Sequence, residues 1–166
     1  KLLSKRAEAK MKMKEYDKTD NNYKYYDNLQ LAYKLTANSI YGQCGASTSQ
    51  LYFKEVAEAT TAIGRERICL AKNYVENNYN ANVIYGDTDS IFVRFNDLDI
   101  NNFENDTELL KNSIEKGLLV ENNIKEIMPY PQKLNYEKVL YPFAIFAKKR
   151  YIGNLYETDP NKYTIS

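Results

Sequence analysis

The sequence predicts an α+β fold, a helical hairpin joined to a region in which an antiparallel β-sheet packs with helices. Two observations carry that prediction. Apolar residues recur at three- and four-residue spacing through much of residues 1–80 and again over 106–126, and after each of these stretches the pattern changes to short β-rich runs. The runs are separated by turn-forming or charged groups such as Gly86-Asp87-Thr88-Asp89 and Lys148-Lys149, as expected for hairpins.

Residues 1–15 read as a helix, because Leu2, Leu3, Arg6, Ala7, Ala9 and Lys10 include good helix formers and no breaker interrupts them. A polar tract, Lys18 to Lys24, is expected to end that element. Asp27 to Tyr41 suits a second helix, with Leu31, Ala32 and Leu35 on one face and with Gly42 and Gly45 as its stop signals. Together the two make an antiparallel helical hairpin. Lys54 to Asn80 is a third helical pattern, its face supplied by Val56, Ala59, Ile63, Ile68, Leu70, Ala71 and Val75 despite Gly64. Asn82 to Tyr85 and Ser90 to Phe95 are strand-like runs flanking the Gly-Asp-Thr-Asp turn. Residues 106–126 return to helix, and Leu134 to Leu140, Phe143 to Ala147 and Arg150 to Leu155 are further strand candidates.

Composition narrows the function. The 166 residues suit one domain or a slice of a larger protein, and the absence of an initiator Met favours the slice. No run of about 20 apolar residues is available to cross a bilayer. Residues 1–14 carry seven charged side chains and no apolar core of the kind a signal peptide needs. The chain has two cysteines, Cys44 and Cys69, and no histidine, which excludes His-dependent triads, zinc fingers and Cys-x-x-Cys chemistry. Both thiols are expected to be free and buried. The net charge is only +1, yet residues 1–18 sum to +4 and residues 96–126 to −5, a separation that allows one basic face.

Four clusters carry potential chemistry. In Tyr85-Gly86-Asp87-Thr88-Asp89-Ser90, an extended backbone would aim Asp87 and Asp89 to the same side and offer hard oxygen ligands to Mg²⁺ or Mn²⁺. An ordinary Asp-rich turn is the competing reading. Lys34, Asn38 and Tyr41 at i, i+4 and i+7, with Gly42 beside them, place an ammonium, an amide and a ring on one helical stripe suited to a phosphate, a sugar and a base. Arg6 and Lys10, also i and i+4, can grip phosphate oxygens. Lys148-Lys149-Arg150-Tyr151 is a basic patch with an aromatic, suited to a nucleic-acid backbone. Each of the last three is, taken alone, equally compatible with a solvated surface.

Taken together they are far more specific. Lys34-Leu-Thr-Ala-Asn-Ser-Ile-Tyr-Gly42, then Tyr85-Gly-Asp-Thr-Asp-Ser90, then Lys148-Lys-Arg-Tyr151 resembles the family B DNA polymerases, in order and in spacing. Leu2-Leu3-Ser4-Lys5-Arg6 with Lys10 is similar to the family's first fingers helix, and Leu134-Asn-Tyr-Glu-Lys138 to its L-x-x-E-K strand. Within the family, Tyr41 to Ser49, Thr60 to Arg65 and Tyr141-Pro-Phe143 resemble most the delta-type enzymes of giant DNA viruses.

The resemblance implies fingers helices over residues 1–45 and part of the palm over 46–166, with the metal-binding hairpin at 83–95. It implies a DNA-templated DNA polymerase that adds dNTPs to a primer 3′ end by two-metal phosphoryl transfer. Asp87 and Asp89 would hold two Mg²⁺ ions, which Mn²⁺ can replace. Arg6, Lys10 and Lys34 would bind the triphosphate, Asn38 would support the pocket, and Tyr41 with Gly42 would pack on the nascent base pair. Lys148, Lys149, Arg150 and Tyr151 would follow the primer-template DNA, and Glu137 would add an acidic group near the site. The family's other metal-binding aspartate, in a D-x-x-S-L-Y-P motif, is not in this chain, so the fragment is expected to be inactive without the rest of the polymerase. A processivity factor and an intracellular setting, nuclear or in a cytoplasmic viral factory, are further implications. Two other readings stay open: a non-catalytic nucleic-acid-binding module derived from a polymerase, and a different Asp-x-Asp enzyme that uses a metal to hold a nucleotide.

Overall fold

The computed structural model describes residues 1–165, and it divides into two compact units, Lys1–Ile63 and Gly64–Ser166. The first contains helices α1 (Leu2–Met13) and α2 (Asn21–Gly45) and the start of α3 (Lys54–Asn78). The second contains the rest of α3, strands β1 (Ala81–Asp87) and β2 (Ser90–Phe95), a 3-10 turn, helix α4 (Asp106–Ile124), and strands β3 (Val139–Ala147), β4 (Arg150–Tyr156) and β5 (Thr164–Ile165). The α+β class expected from the sequence is the class observed.

In the first unit, α1 and α2 pack side by side. Arg6 Nε donates to Gln30 Oε1 at 3.3 Å, while Lys12 lies over the ring of Tyr26 and Tyr16 stacks on it. Residues later in α1 thus meet residues earlier in α2, the mark of an antiparallel hairpin. The second helix begins earlier than its apolar pattern suggests, because Asp20 caps it by accepting from the Asn22 N–H at 2.7 Å. The polar tract expected to separate the helices is therefore partly the first turn of α2. At the other end the helix runs through Gly42 and stops at Gly45.

The second unit owns most of the core. Val75 of α3, Ala81 of β1 and Val120 of α4 are buried together, with Tyr74, Tyr79, Ile91, Val93 and Phe95 packed around them. Helix α4 starts at a reciprocal cap. Asn105 Oδ1 accepts from the Glu108 N–H at 2.9 Å, and Glu108 reaches back to the N–H of Glu104 at 3.2 Å. Strands β1 and β2 form an antiparallel pair with Asp87 opposite Ser90, leaving Thr88-Asp89 as a two-residue turn. A second antiparallel sheet has the order β3-β4-β5, with Ala147 opposite Arg150 and Lys148-Lys149 as its turn.

Two expectations fail here. Residues 134–138 form no strand, and β3 instead runs unbroken from Val139 through Pro142 to Ala147. The reason is that Tyr136 spends its N–H on the carboxylate of Glu121 (2.9 Å) and its hydroxyl on the carbonyl of Glu157 (2.6 Å), so the segment is tied down by side chains and not by a ladder. The strand tolerates Pro142 because the β3–β4 register is irregular between Leu140 and Phe143. Opposite this irregularity lies buried Gly153, where a Cβ would stand 2.8 Å from the Pro142 carbonyl oxygen. Both thiols are free as expected, but Cys69 is exposed and Cys44 only half-buried.

Candidate metal and nucleic-acid site

The chemistry of the second unit gathers at two turns. Asp87 is the last residue of β1 and Asp89 lies in the turn itself. The extended geometry expected for this pair is therefore absent, because the chain reverses between the two residues. Thr88 has a φ of 41°, in the left-handed region that a β-branched residue avoids. Strain of this kind persists where surrounding bonds over-determine it. Thr88 Oγ1 donates to Asp87 Oδ1 at 3.1 Å, and Ser90 Oγ donates to the Asp87 carbonyl at 3.3 Å.

The second turn docks on the first. The Lys149 N–H donates to the phenolic oxygen of Tyr85 at 2.9 Å, and Lys149 Nζ stands 3.4 Å from Asp87 Oδ2. Lys149 itself has a φ of 62°. Behind the turns an aromatic cluster joins the two sheets. Phe92 stacks on Phe143 at 5.6 Å and meets Tyr151 edge-on at 5.2 Å, with Tyr85 tilted against Phe92 at 5.4 Å. Tyr151 is thus a structural anchor as well as part of the basic motif. Lys148 and Arg150 remain exposed beside it.

The sequence motif contains Tyr85 without revealing its anchoring role. A signal was available, since Tyr85 and Asp87 alternate onto one face of β1. An open cleft of about 1010 Å³ reaches from these turns to α4, and its walls include Asp87, Asp89, Glu137 and Tyr151. Glu137 is brought into it by the segment that Tyr136 ties down.

Two carboxylates on one turn, one of them already drawing a cation, form a donor set suited to a hard divalent ion that keeps waters and phosphate oxygens in its shell. Among the described residues no group of three or more Cys, His, Asp or Glu side chains converges to hold a metal. The turn therefore supplies part of a coordination sphere.

In the first unit, Arg6 and Lys10 lie on α1, and Lys34, Asn38, Tyr41 and Gly42 on α2. The Arg6–Gln30 hydrogen bond sets the guanidinium one helical turn from Lys34. Lys10, Lys34 and Asn38 are exposed, Tyr41 is 43% exposed, and the space over Gly42 is open. The stripe expected from the i, i+4, i+7 spacing is present as a helical face.

The model of DNA polymerase family B matches residues 1–165. The chain belongs to DNA polymerase family B. A DNA polymerase of Pyramimonas orientalis virus is 51% identical over 137 residues, which cover 82% of this chain and 11% of that protein. The DNA polymerase delta catalytic subunit of Drosophila melanogaster is 39% identical over 98% of this chain and 14% of its own length. The solved family B DNA polymerase of the hyperthermophilic archaeon Pyrobaculum calidifontis superposes with a TM-score of 0.59 at 28% identity, covering 93% of this chain and 18% of that one. The chain thus spans less than a fifth of each of these family B relatives. Among its described residues no helix is long and apolar enough to cross a membrane.

Proposed function

We propose that this chain carries much of the nucleotide-addition site of a DNA-templated DNA polymerase, which extends a primer 3′ end with dNTPs by two-metal phosphoryl transfer. The observation that carries this reading is the docking of the Lys148-Lys149 turn on the Asp87-Asp89 turn, through Lys149 to Tyr85 at 2.9 Å and to Asp87 at 3.4 Å. It sets side chains suited to a nucleic-acid backbone directly beside carboxylates suited to a metal.

Asp87 and Asp89 hold the Mg²⁺ pair, or Mn²⁺ in its place. When bound, the ions activate the primer hydroxyl and stabilise charge on the transferring phosphoryl group. Catalysis of this kind rests on positioning and electrostatics, so the lack of histidine removes nothing the reaction needs. Arg6, Lys10 and Lys34 bind the triphosphate as fixed cations, Asn38 supports the pocket, and Tyr41 beside the open space over Gly42 packs on the nascent base pair. Lys148, Lys149, Arg150 and Tyr151 follow the primer-template duplex, and Glu137 adds negative charge to the cleft. The helices over 1–45 act as fingers and 46–166 as palm. The remaining coordination and the grip on the duplex come from the rest of the polymerase, without which this fragment is inactive. A processivity factor can act with the whole enzyme, and its setting is intracellular, in a nucleus or a viral replication factory.

Mg²⁺-dependent primer extension by the complete polymerase, wild type beside Asp89→Asn, tests the assignment. Extension by the wild type and none by the variant is expected. A complete chain that binds primer-template yet never adds a nucleotide would instead leave it a binding module.

A further inference from the structure

Lys149 does more in this structure than a DNA-contacting lysine needs to do. Its ammonium sits on the better-covered of the two turn carboxylates, the Asp87 side chain being 24% exposed. A lone ion pair with a lysine 64% exposed is weak evidence of a role, since long side chains on a surface pair by chance. Here the backbone delivers it. The left-handed conformation at Lys149, its N–H bond to Tyr85 and the Phe92–Tyr151 contact together fix where the side chain starts.

Charge then sets a condition on metal loading. Asp87, Asp89 and Lys149 sum to one negative charge. A dication added with the ammonium in place leaves one positive charge, with two cations competing for the same Asp87 carboxylate. We infer that Lys149 is a built-in counter-ion of the acidic turn, and that a divalent cation binds there only by displacing its ammonium from Asp87. Metal loading and release of the Lys149 side chain are one event. The empty turn is spared part of the repulsion between its own carboxylates, and the freed ammonium becomes available to a DNA phosphate.

The inference rests on the assignment of Asp87 and Asp89 as metal ligands, and the experiment separates the two. Mn²⁺ is titrated against the complete polymerase without nucleotide, the free ion being read by electron paramagnetic resonance. Asp87→Asn/Asp89→Asn identifies which bound Mn²⁺ belongs to this turn. Lys149→Asn and Lys149→Gly then remove the ammonium while tolerating the positive φ, and Lys149→Arg keeps the charge. The neutral variants are expected to bind that Mn²⁺ about two- to fivefold more tightly, the scale of an exposed ion pair, with Lys149→Arg near wild type. Unchanged or weaker binding in both neutral variants overturns the counter-ion role while the metal assignment stands. If the double Asn variant loses no Mn²⁺, the metal assignment falls and the counter-ion role with it.

Discussion

Lys149 donates its backbone N–H to the phenolic oxygen of Tyr85 at 2.9 Å, across 64 residues of sequence. The bond joins the turn of one sheet to the strand of another and brings the ammonium of the same lysine to Asp87. A loop of that length is entropically expensive to close, yet each doubling of a loop adds only about 0.6 kcal/mol. The stacked rings of Phe92, Phe143 and Tyr151 bury enough apolar surface at the junction to hold it closed.

Replacing Tyr41 with Ala removes an aromatic surface from the fingers stripe. Base–aromatic stacking is worth about 1–3 kcal/mol. The KM for the incoming dNTP is expected to rise about tenfold, with poorer discrimination against mismatches, as measured by single-nucleotide incorporation with the complete polymerase.

Lys148 and Arg150 are exposed beside the anchored turn. Changing each to Gln is expected to weaken primer-template binding and to lower the slope of log affinity against log salt by about 0.9 for each phosphate that is no longer neutralised. Fluorescence anisotropy across a salt series reads that slope. An unchanged slope would place both side chains away from DNA.

Gly117 of α4 forms the seat for a ring, since a Cβ there would lie 2.5 Å from Tyr136 Cδ2. The ring cannot retreat easily, because Glu121 holds its backbone and its hydroxyl is bonded to Glu157. Gly117→Ala gains about 1 kcal/mol of helix propensity but forces an overpacking that costs about 1–3 kcal/mol. A net loss of protection in α4 by hydrogen exchange is expected, recovered in part by adding Tyr136→Ala.

Glu121 is held below its ordinary pKa of 4.5, chiefly by the Tyr136 N–H and then by Lys125. A carboxylate depressed in the folded state stabilises the fold above its unfolded pKa, and the contribution is lost as pH falls through the folded value. Glu121→Gln is therefore expected to lower the thermal midpoint of the complete protein at neutral pH. The gap from wild type should narrow once pH drops below about 4.5. A gap independent of pH would show that the ionised form contributes nothing.

Local pattern was enough wherever the deciding forces were local. Helix α4 was legible almost to the residue because its cap, Asn105 with Glu108, stands beside its apolar stripe. Both hairpin turns were legible because turn-forming and charged residues interrupt β-branched and aromatic runs. The early start of α2 is hidden from the apolar pattern because a single cap at Asp20 outweighs a polar first turn. Residues 134–138 carry a strand-like pattern yet form no strand because the partners of Tyr136 lie 15 and 21 residues away.

The sequence by itself determined the α+β class, the order of the motifs and the resemblance that family membership bears out, since these depend on residue type and spacing along one chain. Only the tertiary structure decided that Asp87 and Asp89 straddle a tight reversal, that Tyr151 is an anchor within an aromatic stack, and that Lys149 meets Asp87. Those are contacts between distant segments. Their geometry follows from how two sheets pack, a cooperative outcome of burying shared apolar surface that no single stretch of residues encodes.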